Sequence, residues 1–197
     1  LSKGYRVEAL SPDDYQKKII KNKFNGKMDF HHTKFENFNT IKRYDLIFES
    51  ESACYIKIDS GFKKAKELLN ENGYLLASDY FVHFIDDSKS PHLKSSHNME
   101  KYLSSAKKNG FKIIREYDQT LNTIPTLDYA YYFVERFVKP SFDYGVYSTE
   151  KNYPLITKMI KKILEPKWDK KKEQLDLINS KKFKKYRKYM IFLFQKK

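Results

Sequence analysis

The sequence predicts an α/β fold, in which strands and helices alternate along the chain and helices cover both faces of a sheet. Three observations predict it. Short apolar segments alternate with amphipathic ones over residues 5–118. Capping and turn residues stand between these segments. The length of 197 residues suits one domain that can bury a sizeable core. We therefore expect a single domain over residues 1–197.

The first strand is predicted at residues 5–10, and the segment after it has the pattern of a helix N-terminus. Ser11 can cap that helix, and Pro12 suits its first position because proline lacks the N–H that would be unsatisfied there. The helix is expected to end before Asn25-Gly26, since both residue types favour the left-handed backbone of a helix end.

Further strands are predicted where apolar runs are bounded by polar or turn residues, at residues 27–32, 44–49, 74–79 and 111–118. Two amphipathic helices separate the last three of these strands. The first covers residues 61–70, is closed by Asn72-Gly73, and has as its inner side Phe62, Ala65, Leu68 and Leu69. The second covers residues 99–109 and ends at Gly110.

The rest of the chain contains two less regular segments. We expect a mobile loop at residues 86–97. An aromatic and basic insertion over residues 120–185 is predicted to be mostly helical, and it is followed by a final apolar strand at residues 189–195.

Composition excludes several classes of protein. With 40% apolar and 16% aromatic residues, the chain is neither collagen-like nor fully disordered. No apolar run approaches the roughly 20 residues that span a bilayer, and the start lacks the apolar core of a signal peptide. The single cysteine, Cys54, excludes an internal disulfide and a cysteine-rich zinc site, and favours a cytoplasmic location. His31 and His32 are adjacent in a predicted strand and point to opposite faces, so no metal site is predicted.

Positive charge is concentrated near the C-terminus. The net charge is +14, and residues 151–197 hold 16 Lys/Arg against 4 Asp/Glu. The densest run lies at residues 181–188. Such a run can attract nucleic acid, an anionic membrane surface or an acidic substrate. The alternative is a solvated helix face on which lysine stems cover apolar neighbours.

Three segments in the same order carry a resemblance to a known family. They are VEALSP at residues 7–12, YDLIFESES at 44–52, and the segment 62–79 with LLNENGYLL before its strand. Residues 99–103 and 109–114 extend the match. Together they resemble the class I S-adenosylmethionine-dependent methyltransferases, in the small-molecule branch of sterol, tocopherol, methylglycine and phosphoethanolamine enzymes and cyclopropane synthases. The resemblance implies a Rossmann-like seven-stranded sheet, S-adenosyl-L-methionine as cofactor and a small-molecule acceptor.

One element of the family pattern has no counterpart in this sequence. The family holds the methionine part of its cofactor with a glycine-rich loop after the first strand, and neither that strand nor that loop is found here. We expect that they were cut off or are disordered, because a fold lacking a central strand would be costly. The alternative is a fold that is genuinely shorter.

The resemblance also implies which residues bind the cofactor. It places Leu10 and Ser11 at the end of the family's second strand, and Asp14 where a polar residue reaches the ribose. Phe35 and Glu36 match an aromatic–acid pair that covers adenine, and Ser50 follows the fourth strand. The alternatives are that Asp14 only complements the helix dipole and that Phe35 lies in the core.

Three residues are candidates for the acceptor side. Glu51 and Tyr55 follow the fourth strand of the family pattern, and His83 follows the fifth. Histidine titrates in the range that suits a general base, although a lone histidine is often structural. The phosphoethanolamine branch has histidine where Tyr55 stands, which argues against that exact substrate.

The aromatic insertion is the candidate lid and acceptor pocket. Its aromatic residues are either walls for an apolar or cationic acceptor or helix core: Tyr129, Tyr131, Tyr132, Phe133, Phe137, Phe142, Tyr144 and Tyr147. We therefore expect methyl transfer to a small molecule. Two alternatives stay open, an RNA-binding or RNA-modifying methyltransferase that uses the basic C-terminal region and a non-catalytic module with the cofactor fold. The oligomeric state is not predicted.

Overall fold

A computed structural model describes residues 3–83, 96–155, 157–158 and 177–197. Within them lie six strands: β1 (Glu8–Leu10), β2 (Asp29–His31), β3 (Tyr44–Ser50), β4 (Leu69–Val82), β5 (Phe111–Asp118) and β6 (Arg187–Lys196). The helices are α1 (Asp14–Phe24), α2 (Ile58–Leu68), α3 (Met99–Lys108), α4 (Thr120–Phe133), α5 (Lys139–Asn152) and α6 (Ser180–Tyr186). A π-helical turn, Val134–Val138, joins α4 to α5, and short 3-10 turns occupy Phe35–Asn37 and Ala53–Tyr55.

The described strands form two sheets. β1 pairs with β2 in parallel, with Ala9 opposite Phe30. The other four strands lie in the order β3-β4-β6-β5. The predicted α/β class is therefore confirmed, whereas the seven-stranded sheet stays a prediction.

The start of α1 differs from the prediction. Asp13, not Ser11, caps the helix, because its side chain accepts a hydrogen bond at 2.7 Å from the main-chain N–H three residues later. The helix begins at Asp14, so Pro12 precedes the cap. The predicted end is confirmed: Asn25 adopts the left-handed conformation, with φ of 48°.

The boundary between α2 and β4 also differs. α2 ends at Leu68, and the strand begins at Leu69 without a closing turn. The Asn72-Gly73 pair lies inside β4 instead, with Asn72 at φ of 60°. A Cβ on Gly73 would come within 2.9 Å of the Asn70 carbonyl oxygen, so the close approach of the backbone requires glycine.

The remaining boundaries agree with the sequence to within a few residues. β5 has the predicted bounds, α3 ends before Gly110, whose φ is 85°, and β6 is longer than predicted. The insertion is mostly helical where it is described, as predicted. Most of the loop predicted at residues 86–97 lies outside the described residues, as do residues 156 and 159–176.

The chain divides into two compact units. Unit 1 comprises Leu1–Ala77, Lys101–Arg115 and Phe192–Lys197. Its core is aromatic: the Phe62 ring of α2 lies 4.8 Å from the ring of Tyr102 and 5.6 Å from that of Phe194. α2 buries Phe62, Ala65 and Leu68 as predicted, because these residues share one helix face.

Unit 2 comprises Ser78–Glu100 and Glu116–Ile191. Here the Arg187 guanidinium is buried and lies 4.8 Å from the centre of the Tyr80 ring. Thr120 connects α4 to β6, because the N–H of Tyr189 donates to its hydroxyl at 3.0 Å. Whether the two units act as the single predicted domain stays a prediction.

One face of β3 is open in the described part of unit 1. Leu46 and Phe48 point to the same side of the strand and are 52% and 61% exposed. Glu49, on the opposite side, is buried. No helix among the described residues covers the Leu46–Phe48 side of β3, where the sequence predicts cover on both faces.

Candidate active site

The loops after β1 and β2 meet at one edge of their sheet. Both strands run in the same direction, so their carboxyl ends lie side by side. The N–H of Ser11 donates to the His31 carbonyl at 3.2 Å, and the N–H of Thr33 donates to the same oxygen at 3.1 Å. Ligands of open α/β sheets bind outside the carboxyl ends of the strands, so this edge is the candidate cofactor site.

Asp14 lies in this edge at the first position of α1. Its side chain is 89% exposed, and its Oδ1 lies 3.4 Å from Nε2 of His32. That nitrogen donates to the Pro12 carbonyl at 3.0 Å, and the other ring nitrogen accepts from Lys17 at 3.4 Å. Asp14 thus complements the helix N-terminus and is also accessible to a ligand, so both interpretations made from the sequence stand.

Glu36 has a structural contact that the sequence does not predict. Its Oε1 accepts a hydrogen bond at 3.0 Å from the N–H of Lys57, which precedes α2. Burial raises the pKa of Glu36, but this N–H and nearby positive charge outweigh burial and hold the pKa below its usual value. Phe35 is half-buried beside it, and the fully packed residue of this loop is Phe38.

The segment after β3 carries backbone strain. Ser50 and Glu51 are exposed where the strand ends, and Glu51 has a φ of 49°. A side chain in the left-handed region costs about 1 kcal/mol, and such residues cluster at sites that bind or transform ligands. Tyr55, in the following 3-10 turn, is 83% exposed. The bond from Lys57 to Glu36 joins this segment to the loop after β2.

Glu49 and Tyr102 form a buried contact that the sequence does not predict. Glu49 is 6% exposed, and the Tyr102 hydroxyl donates to its Oε2 at 3.5 Å. Both line a small cavity of about 10 Å³ beneath the turn after β3, together with Ile56, Phe62 and Leu75. Alternation along β3 could have shown that Glu49 points inward. A cavity of this size has room for no more than about one water molecule, so it is not a ligand pocket.

His83 lies at the end of β4, in unit 2. Its N–H donates to the Tyr186 carbonyl at 3.0 Å, and its ring Nε2 lies 3.3 Å from the Lys184 carbonyl. A carbonyl only accepts, so Nε2 carries the proton and Nδ1 is the basic nitrogen of the neutral ring. His83 therefore has a structural contact and retains one nitrogen suited to proton transfer.

The aromatic residues of the insertion are exposed rather than packed as core. All eight candidates on α4, the π-helical turn and α5 are between 38% and 71% exposed. The Phe137 ring lies 5.5 Å from that of Phe133 and 6.3 Å from that of Tyr132. The alternative that half of them form a helical core is not seen in the described residues, and the lid stays a prediction.

The basic run forms α6. Phe183 and Tyr186 are 4% and 7% exposed, whereas Lys181 and Lys184 point into solvent. This arrangement fits the interpretation of a lysine-rich helix face over apolar neighbours.

Residues 3–83, 96–155, 157–158 and 177–197 offer neither a metal site nor a membrane-spanning helix. They contain no group of three or more His, Cys, Asp or Glu residues placed to hold a metal ion. In the described part of the chain no helix has both the length and the apolar character to cross a membrane.

The fold is that of the class I S-adenosylmethionine-dependent methyltransferases, which confirms the resemblance seen in the sequence. One similar structure is phosphoethanolamine N-methyltransferase 2 of Haemonchus contortus, with phosphomonomethylethanolamine and S-adenosylhomocysteine. It has a TM-score of 0.65 and 16% identity, over 98% of this chain and 44% of that one.

Two further structures come from bacteria. Geranyl diphosphate C-methyltransferase of Streptomyces coelicolor, with Mg²⁺, geranyl diphosphate and S-adenosylhomocysteine, has a TM-score of 0.64 and 12% identity, over 98% of this chain and 64% of that one. The cyclopropane synthase MmaA2 of Mycobacterium tuberculosis has a TM-score of 0.61 and 14% identity, over 97% of this chain and 70% of that one. The chain thus spans from under half to about two thirds of these enzymes. No family model and no curated protein matches the sequence.

Proposed function

We propose that this chain belongs to an enzyme that transfers a methyl group from S-adenosyl-L-methionine to a small-molecule acceptor. The observation that carries the proposal is the edge where the loops after β1, β2 and β3 are joined by hydrogen bonds, with Glu51 in a strained conformation. The methyltransferase fold supports it, as do the small-molecule ligands of two similar structures.

The residues at this edge suit the adenosine part of the cofactor. Asp14 can accept hydrogen bonds from ribose hydroxyls, because its carboxylate is exposed beside the end of β1. Phe35 and Glu36 offer an aromatic face and a hydrogen-bond acceptor for adenine. Leu10 and Ser11 are half-buried at the end of β1. Ser50, the last residue of β3, offers main-chain groups to the cofactor. No described residue is a counterpart of the glycine-rich loop for the methionine part.

The acceptor side is assigned to Glu51, Tyr55 and His83. When bound, the cofactor supplies an electrophilic methyl group for in-line displacement, so the protein mainly aligns the acceptor and removes its proton where required. Glu51 can accept that proton as a carboxylate and His83 through Nδ1. The exposed aromatic residues of α4 and α5 are suited to cover an apolar or cationic acceptor.

Two measurements test the proposal. Calorimetric titration with S-adenosylhomocysteine should give saturable binding to the full-length protein, whereas this chain, which lacks the glycine-rich loop, should bind it weakly. Incubation with methyl-labelled S-adenosyl-L-methionine and a metabolite extract should then give a labelled small molecule that mass spectrometry identifies. Binding without transfer to any metabolite would favour the non-catalytic module, and label recovered only in RNA would favour the nucleic-acid alternative. Absence of binding would contradict the proposed cofactor site.

A further inference from the structure

The loops of the candidate cofactor site converge on one residue, His31. Its main-chain carbonyl accepts from the N–H groups of Ser11 and Thr33, which begin the loops after β1 and β2. Its ring lies 4.6 Å from the ring of Phe38. Phe38 is buried and directly follows the 3-10 turn Phe35–Asn37. His31 therefore contacts the loops after β1 and β2 and the residue that follows the Phe35–Asn37 turn.

The ring of His31 is itself held by the carboxylate of Glu8. Nε2 of His31 lies 2.7 Å from Oε2 of Glu8, and the Tyr44 hydroxyl donates to the same oxygen at 2.8 Å. Nζ of Lys42 donates to Oε1 at 2.6 Å and lies 3.5 Å from the Asp29 carboxylate. The Glu8 and His31 side chains are only 18% and 31% exposed.

This cluster links two sheets that share no main-chain pairing in the described structure. Glu8 and His31 belong to β1 and β2, whereas Tyr44 begins β3 and Lys42 precedes it. Glu8, itself held by Lys42 and Tyr44, thus fixes the orientation of the His31 ring. Such a fixed ring can hold Phe38, and with it the turn of Phe35 and Glu36, at a constant distance from Ser11.

We propose that His31 is a positioning residue of the cofactor site and that Glu8 fixes its ring. The proposal rests on the proposed function of this edge. His31 acts through the loops that it joins: its carbonyl sets Ser11 and Thr33, and its ring sets Phe38. Loss of either ring contact should therefore loosen both loops and weaken binding of the adenosine part.

Two variants separate the two ring contacts. His31→Phe retains a ring beside Phe38 and removes the bond to Glu8, whereas His31→Gln retains an amide donor toward Glu8 and removes the ring. The matched control is Asp45→Asn, which weakens another side-chain bond of unit 1, the 2.8 Å contact with Asn70 away from this edge.

The measurements are amide hydrogen exchange by NMR and titration with S-adenosylhomocysteine. We expect both His31 variants to raise exchange at the Ser11 and Thr33 amides and to raise the Kd roughly tenfold, a common size for indirect coupling. The Phe192 amide, in the core of unit 1, should keep its exchange rate. The control should change neither quantity.

Equal acceleration at Phe192 would mean that His31 only stabilises unit 1 as a whole, which would overturn the proposal. Unchanged exchange and affinity would overturn it as well. If the full-length wild-type protein binds no S-adenosylhomocysteine, the proposed function of the edge fails. In that case the exchange rates of Ser11 and Thr33 alone decide whether His31 holds the two loops.

Discussion

The carboxylate of Glu8 stays ionised although protein surrounds most of it. Burial raises its pKa, but hydrogen bonds from Lys42, His31 and Tyr44 outweigh burial and lower the pKa to about 2. The same contact has the opposite effect on its tyrosine partner: burial and the bond to Glu8 raise the pKa of Tyr44 to about 12. Ionised Glu8 and neutral Tyr44 are therefore both maintained across the physiological pH range.

The lowered pKa of Glu8 predicts a pH dependence of stability. The native pKa is about 2 and the ordinary value is 4.5, so the contribution of Glu8 is complete above about pH 4.5 and is lost as the pH falls toward 2. We expect the free energy of unfolding of wild type to exceed that of Glu8→Gln by about 2 kcal/mol at pH 6 and by little at pH 2. Urea unfolding across this range measures the difference. The control is Glu67→Gln, which weakens the pair between Lys64 and the half-exposed Glu67 and should give a small difference.

Replacing Asp14 or Glu36 by alanine should weaken ligand binding to a similar extent but affect the stability of the fold differently. Both variants should weaken binding of S-adenosylhomocysteine by about 1–3 kcal/mol, the cost of losing a charge-assisted hydrogen bond. Glu36→Ala should also lower the unfolding midpoint, because it removes the acceptor of the Lys57 N–H. Asp14→Ala should leave the midpoint nearly unchanged, since its side chain is 89% exposed. Calorimetry and thermal unfolding separate the two effects, and unchanged affinity in both folded variants would contradict the site.

The positions of strands and helices could be predicted because apolar periodicity and turn residues are local signals. The residues at which strands and helices begin and end were harder to predict. Ser11 and Asp13 are both good caps, and only the geometry of the chain entering α1 decides between them. Asn72-Gly73 has the composition of a helix end, yet the pairing of Leu69 into β4 moves the turn into the strand. In both places long-range packing overrides a local preference.

The residues of the candidate site could be predicted from the sequence, but the hydrogen bonds that they make could not. The resemblance pointed to Asp14, Glu36 and Glu51, but it could not show that Glu36 binds a main-chain N–H 21 residues away. The Glu8–His31 contact likewise joins residues 23 positions apart. Such bonds depend on the register and spacing of strands, for which a single sequence carries no direct signal.

The turn after β3 allows strain and chemistry to be separated at Glu51. Glycine adopts a φ near 49° without strain, and alanine does not. Both Glu51→Gly and Glu51→Ala remove the carboxylate, so we expect the glycine variant to be more stable by about 0.5–1 kcal/mol. Chemical denaturation measures that difference. If the carboxylate takes a proton from the acceptor, turnover should fall equally in both variants, and full turnover in either would exclude that role.

The contributions of packing and of positive charge can be tested separately in α6. Phe183 is 4% exposed, so Phe183→Ala should destabilise unit 2 by about 3 kcal/mol. Replacing Lys181, Lys182, Lys184 and Lys185 together by glutamine should leave turnover of a small molecule nearly unchanged, because these side chains are solvent-exposed. Thermal unfolding and the labelled-methyl assay measure the two effects. RNA binding that weakens steeply with salt, and is lost in the glutamine variant, would instead support the nucleic-acid alternative.

The candidate acceptor residues come from segments that are distant in the sequence. Glu51 and Tyr55 follow β3 in unit 1, and His83 follows β4 in unit 2. Glu51 directly follows β3 and His83 directly follows β4, whereas Tyr55 lies in the 3-10 turn after β3. Each is therefore tested by its own variant. Methyl transfer to a hydroxyl or an ammonium requires one group that accepts a proton, whereas transfer to an unprotonated nucleophile requires alignment alone.

The choice between these two modes is tested by Glu51→Gln, Tyr55→Phe and His83→Ala. General-base assistance typically amounts to about 100- to 10,000-fold, so we expect at least one variant to lose turnover on that scale while its affinity for S-adenosylhomocysteine is retained. His83→Asn is the matched control for the structural contact, because its amide can donate to the Lys184 carbonyl as the ring does. Loss of turnover in His83→Ala that His83→Asn restores would assign the residue to packing. Full activity in all three variants would mean that alignment alone drives the transfer or that the base comes from the aromatic insertion.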